Sequence, residues 1–462
     1  MNRLLRESSD LGRMAVQALT SKLLSRKFYL YLLITACFGG IALIVGWFIP
    51  NLPTAYYTKE TLTLTVIGIA GVITLLRYPE MGMGLYLYNG IFKTASVFGY
   101  LNSTIPTIFI LSLTVIGFFL REPIKINKKS KPDSILIFII IFNLLILLSA
   151  SGISGLTDKA MRLAFFTAAS FTMAALIARD PNRLLRAFRC LAFLSIVTAV
   201  MSMATFVLED VNWVRSVTLF EANDVIYGRA MGLGIVMMVG LLLYDKTLPQ
   251  SWRRLFLLML PVTFINLILS TSRGGVVGLA VVGAFILFMN RDHLPRWVWG
   301  GITLSGPISY FVFSRWGNQV RDLSGFFVLF GLSSLDMSTI GRILMYQNAI
   351  SQFMTHPLFG IGTQANDIYP HNIFLEVASE LGILGLSIFL LLLWQVFRKT
   401  RKLLEISTKE SHYIVANLIA IGLIYSMTIS QFSGNLQHQR ALWMFIALSW
   451  AVKVISKRVP ST

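Results

Sequence analysis

Apolar runs of roughly 16 to 25 residues, about the length that crosses a bilayer core, recur from one end of this chain to the other. They lie near 28–49, 61–76, 81–98, 105–120, 134–151, 160–177, 190–208, 229–244, 255–271, 274–290, 297–314, 372–396, 413–431 and 441–456. A chain of 462 residues with 13% charged residues and a mean hydropathy of +0.70 has too little polar surface for a water-soluble domain. The fold class is therefore all-α, a polytopic integral membrane protein. Reading the shortest runs as re-entrant pieces reduces the count, so about 12 to 14 transmembrane helices are expected.

Lys and Arg beside spans are retained on the cytoplasmic side. With the N-terminus inside, 29 of the 40 basic residues fall on that side. Clusters at Arg3–Lys27, Arg121–Lys131, Arg179–Arg189, Lys246–Arg254 and Arg398–Lys409 set the pattern, and both termini face the cytoplasm. The net charge of +19 then reflects orientation and anionic lipid, not nucleic acid. Residues 1–27, with Leu4, Leu11, Ala15, Leu19 and Leu23 at near-helical spacing among basic residues, read as an amphipathic segment on the inner surface. The stretch ITAC ending at Cys37 resembles a lipoprotein cleavage box, but the apolar run continues to Ile49. With Cys190 as the second cysteine, no disulfide framework or cysteine metal site is implied.

The chain thus divides into residues 1–27, transmembrane helices over 28–314, a large extracytoplasmic loop over 315–370, and C-terminal transmembrane helices over 371–462. Loops of this length carry function or fold into pieces of their own. Within this one, Ile343, Tyr346, Ile350 and Phe353 form one apolar helical face over 341–354, predicting a short helix lying on the membrane. FFVLFGL, 326–332, is a second candidate for dipping into lipid.

The polar groups left on the outer side include Arg229, Arg273, Arg342, Arg440, Lys159 and the histidines His356, His371 and His438. Arg273 with Gly274 and Gly275 falls in a tight turn that opens a span. Backbone N–H groups at a helix start, glycines that admit a ligand and a guanidinium that grips phosphate with two bonds suit a diphosphate there. Arg229 and Arg342 are expected to open their helices in the same way. The plainer reading of Arg229, Arg315, Arg321 and Arg440, taken singly, is an interfacial residue that snorkels toward headgroups, and it also explains Lys93 near its span's outer end. His371 follows Pro370 at the head of a span; a neutral imidazole there can take a proton from a hydroxyl, or can simply cap the helix. Glu376 and Glu380, one and two turns deeper, are too far along the helix to bond it and are expected to hold neighbouring elements.

STSRGG at a span start, GRILMYQNAISQF followed by HPLFGIG in the loop, and then HNIFLEVASELGILGL together resemble the O-antigen ligase and polysaccharide polymerase superfamily. The matching stretches begin near Ile265. The resemblance implies a membrane-embedded glycosyltransferase of the GT-C type, inverting and metal-independent, in the bacterial cytoplasmic membrane. It would move a glycan from undecaprenyl diphosphate to a hydroxyl acceptor on the outer face, as a ligase or, alternatively, as a polymerase of the same donor chemistry. It further implies His371 as general base and Arg273 and Arg342 on the diphosphate. Arg229 and Gly274 are added as diphosphate-binding residues, and Asn372, Glu380 and Asn223 as supporting ones, with no metal and no cofactor. Relatives often carry an Asn-Pro-Asn-like turn before the eighth span; this chain reads TLFEANDVIYGRAMGLG, with Asn223 standing in for part of it. The competing class is a transporter, a lipid-linked glycan flippase or an inorganic-carbon carrier, which would commonly show inverted repeats and interrupted helices.

Overall fold

The computed structural model describes residues 71–92, 104–121, 133–150, 159–208, 224–270, 272–291, 337–363, 369–406, 410–432 and 434–457. Residues 1–27, the runs at 28–49 and 297–314, the 326–332 stretch, Lys93 and Asn223 lie outside them. The helices are α1 Gly82–Phe92, α2 Thr104–Arg121, α3 Ser134–Leu148, α4 Met161–Ile177, α5 Pro181–Leu208, α6 Asp224–Tyr244, α7 Gln250–Leu269, α8 Arg273–Met289, α9 Met337–Thr355, α10 Ile373–Ile406, α11 Glu410–Ile429 and α12 Arg440–Lys457. Each apolar run that falls on described residues became helical, and the described residues contain no β-strand beyond an isolated Ala150–Thr363 bridge. Five of the helices are long and apolar enough to cross a membrane: Pro181–Ala204, Asp224–Tyr244, Gln250–Leu269, Ile373–Glu405 and Glu410–Ile429. The chain is an all-α, polytopic membrane protein.

Contacts divide the chain into two units. In the described part of the first, the Arg121 guanidinium lies 5.5 Å from the centre of the Tyr78 ring, and Gly117 packs on the backbone of Leu75. The second unit holds everything that follows.

Its central member is α6, which packs on α5, α7, α8 and α11. A helix apolar on every side must be enclosed by others, and α6 is buried from Tyr227 to Tyr244 on nearly all faces. Small residues permit this. At Gly232 a Cβ would fall 2.0 Å from the Tyr425 hydroxyl, at Gly234 2.1 Å from Ser195, and at Gly240 2.5 Å from Ile421. By contrast α7 leaves Leu257, Leu258, Phe264 and Ile265 exposed, as a lipid-facing helix does.

The two ends of the bundle differ. At one, buried Asp245 accepts from Arg189 Nε at 2.9 Å and Nη2 at 2.6 Å, and its carbonyl accepts from Arg253 at 3.2 Å. Asp133 caps α3, accepting from Ile135 N at 3.1 Å, and pairs with Lys399 of α10. At the opposite end of these helices Ser149 meets Thr363, hydroxyl to hydroxyl at 2.6 Å and Thr363 N to Ser149 O at 2.9 Å. The arginine- and lysine-rich turns therefore share the end away from the loop.

α10 is interrupted at Gly382, where φ is 63° and ψ −162°, a combination open essentially to glycine alone. A broken helix in lipid must have its freed backbone groups satisfied by protein, and the turn after α9 does this. Ile361 N and Gly362 N donate to the carbonyls of Ser379 and Glu380 at 2.9 and 3.1 Å; Ile383 N and Leu384 N donate to those of Pro357 and Leu358 at 2.8 and 3.4 Å. Gly360, φ 68°, faces the break, and its Cβ would lie 2.3 Å from the Glu380 carbonyl carbon. The break lies about 13 Å along α10 from Ile373. α9 packs along α10, and the turn that follows it is docked at the break. α9 begins at Met337, four residues before the predicted span, and leaves Ile343, Leu344, Ile350 and Met354 exposed, followed by Leu358 and Phe359. Of the predicted apolar face, Ile343 and Ile350 are exposed while Tyr346 and Phe353 are half-buried.

Candidate active site

The head of α10 has its own conformation. Asn372 caps the helix, its Oδ1 accepting from Phe374 N at 3.0 Å and Leu375 N at 3.2 Å. That leaves His371 one residue outside, held at φ 51°, the left-handed region that costs a side-chain-bearing residue. Its ring lies against Tyr369, centroids 4.4 Å apart, and its buried Nδ1 has no hydrogen-bond partner. Burial, then the charges of Arg342 and Arg229, hold His371 below the ordinary histidine range. Burial, then Glu376, pushes the Tyr369 hydroxyl up, against the opposing pull of Arg229 and Arg342.

Arg229 is positioned by everything around it. Its Nη2 donates to Ile429 O at 3.0 Å and its Nη1 to Gln439 Oε1 at 3.5 Å. The backbone carbonyls of Arg229 and Ala230 accept from the hydroxyls of Tyr425 at 3.0 Å and Tyr88 at 2.9 Å. Gly434, φ 74°, lets the chain pass beneath the guanidinium; a Cβ there would sit 2.9 Å from Nη1.

Arg273 begins α8, as its sequence suggested. A Cβ at Gly275 would fall 3.0 Å from Gly228 O, one at Gly228 2.2 Å from Ser272, and one at Gly274 3.1 Å from Phe432. The start of α8 is thus at the same end as Arg229. Arg229 and Arg342 are not the openers of their helices, which is a correction. α6 begins at Asp224 and α9 at Met337, so each arginine is over a turn inside, with its own N–H already in a helical position. In α6 the acidic Asp224 occupies the first turn and favours that earlier start.

Glu376 and Glu380 hold elements together. Both contact Lys159, at 2.5 Å for Glu376, and Glu376 Oε2 accepts from Leu436 N at 2.9 Å. Burial opposes the lysine's charge, but the two carboxylates outweigh it and raise its pKa. Leu436 O in turn accepts from Trp443 Nε1 at 3.0 Å. The network fixes the 434–439 turn that meets Arg229. Breaking a buried ion pair from one side costs about 3–5 kcal/mol; Lys159→Met should lower stability on that order in unfolding measurements, and adding Glu380→Gln should recover part of it.

Tyr369, Gly434 and Gln439 were not singled out from sequence. Tyr369 carried a signal in standing two residues before His371; Gln439 reaches Arg229 across 210 residues, and no local pattern announces such a contact.

Of these groups Arg273, Arg342 and His371 belong to one stretch of sequence. Residues 255–390 match the family model described as O-antigen ligase. Over 249 residues, 50% of the chain, it is also 27% identical to a protein named O-antigen polymerase from Salmonella muenchen, and the alignment spans 61% of that relative's length. Both findings support the O-antigen ligase and polysaccharide polymerase superfamily. Arg229 lies outside the family segment.

Proposed function

We propose that this chain transfers a glycan from a lipid-linked diphosphate, of the undecaprenyl class, to a hydroxyl acceptor at the extracytoplasmic end of the bundle. The observation that carries the reading is the buried, partnerless Nδ1 of His371, on a ring whose protonation is opposed by burial and by the charges of Arg342 and Arg229 from different helices. His371 removes the acceptor's proton as the new glycosidic bond forms and the bond from the sugar's anomeric carbon to phosphate breaks on the opposite side, inverting that carbon. Arg229 and Arg342 neutralise the charge growing on the departing diphosphate, while Arg273 with Gly274 opens α8 at the same end. A cation pair supplies here the stabilisation that a metal gives elsewhere. The orientation rests on the basic residues clustered at the other end, which the positive-inside rule assigns to the cytoplasm.

The family segment's description favours a lipid-core acceptor, and the relative's name favours a second lipid-linked repeat unit; both use this donor chemistry. Transport is less well supported, since four backbone groups at the Gly382 break pair with the protein's own turn instead of standing open to a passing ion.

The test is the full chain in proteoliposomes with undecaprenyl-diphosphate oligosaccharide and either acceptor, with divalent metal chelated. Inverted glycan transfer is expected. Passage of the intact lipid-linked glycan across the bilayer without transfer would replace the enzyme by a carrier. In the same assay Arg342→Gln should lower kcat/KM by about 10²–10³-fold. Because Arg342 opposes protonation of His371, its loss should also move the acid limb of the pH profile upward, toward the ordinary value of about 6.5.

A further inference from the structure

Arg440 is the first residue of α12, next to the Gln439 that meets Arg229. Taken alone, an arginine at this position in the sequence reads as an interfacial residue reaching for headgroups. The structure does the opposite with it. Arg440 is 7% exposed, and its guanidinium lies over Phe166 of α4 at 4.4 Å and Tyr86 of α1 at 5.7 Å. Buried Nη1 has no hydrogen-bond partner, and no carboxylate among the described residues pairs with the group. The Tyr86 hydroxyl is engaged elsewhere, donating to Phe166 O at 3.1 Å and meeting Ser170 Oγ at 3.0 Å.

The magnitudes do not balance. Stacking a desolvated cation over aromatic faces recovers only part of what removing it from water costs, and the start of α12 adds its own partial positive charge. An arrangement of this kind is completed by an anion. Resting on the transfer reaction proposed above, we propose that Arg440 and the start of α12 form a second oxyanion subsite, which takes the diphosphate of a second lipid-linked sugar, the acceptor. Two lipid diphosphates held by separate guanidiniums are what polymerisation requires, since donor and acceptor each carry one. Transfer to a lipid core requires only the donor's.

The experiment uses farnesyl diphosphate as a short-chain probe, titrated against the full chain in detergent by calorimetry. Wild type should bind two equivalents, Arg440→Gln one, and Arg229→Gln the other one. A single equivalent in wild type, unaltered in Arg440→Gln, would overturn the subsite while leaving the donor site standing; no binding to any form would remove the donor reading with it. Competition separates the sources of phosphate. If phosphatidylglycerol nanodiscs displace the Arg440-dependent equivalent as well as farnesyl diphosphate does, the subsite serves a membrane phospholipid and the acceptor assignment is wrong. A stability measurement tests the subsite independently of binding. Arg440→Met should raise the unfolding temperature of the ligand-free protein, because it removes an uncompensated charge, whereas a purely structural arginine stacked on its rings would lower it.

Discussion

Replacing His371 with alanine is expected to reduce kcat/KM for glycan transfer by about 10²–10⁴-fold, the usual contribution of a positioned general base. The loss should fall on kcat, because the groups that would hold the donor, Arg229 and Arg342, belong to other helices and keep their places. Exogenous imidazole should restore part of the rate. Since burial and two cations hold His371 below the ordinary histidine range, the wild-type enzyme should keep its activity into mildly acidic solution and lose it only when the ring is protonated below that lowered pKa. Unchanged turnover in His371→Ala, measured in proteoliposomes against Arg401→Ala at the other end of α10, would remove the histidine from the mechanism.

The largest structural effect is expected at the interrupted helix. In Gly382→Ala the new methyl would sit 2.4 Å from the carbonyl of Leu358, in a backbone conformation that disfavours any side chain. The turn must undock, and four backbone hydrogen bonds go with it. At about 0.5–1.5 kcal/mol each, with the conformational cost added, a destabilisation of about 4 kcal/mol or more follows, read as a lowered unfolding midpoint and new protease cleavage near residues 356–363. Gly360→Ala should do the same, and the double variant should cost little more than either alone, because one docking is lost in all three. Gly283→Ala, where a methyl meets nothing within 4 Å, should instead be neutral or stabilising by up to about 1 kcal/mol.

Much of this architecture can be read from the chain. The run at 134–151 became α3 over 134–148, that at 160–177 became α4 over 161–177, and that at 413–431 became α11 over 410–429, because lipid selects helices by length and hydropathy alone. The loop helix was visible in its apolar spacing. What the spacing did not disclose is which distant groups meet. HPLFGIG and SELGILG each look like an ordinary glycine-containing stretch; only together do Gly360 and Gly382 explain one another. The same holds for Lys159, whose carboxylate partners are more than 200 residues away, and for Arg440, whose burial depends on rings of α1 and α4. Reading the basic residue as the opener of each helix places the starts of α6 and α9 too late, because DVIYG and MSTIG ahead of the arginines are already helical.

The notched surface of α6 bears on how such a protein can move. With Tyr425, Ser195 and Ile421 each seated where a glycine lacks a side chain, rotation or sliding of that helix would drive a bulky group into backbone. It acts as a fixed mast, and Arg229 is a fitting bolted to it. Any change in the spacing of the two guanidinium groups would then have to come from α9, which carries Arg342, and not from α6.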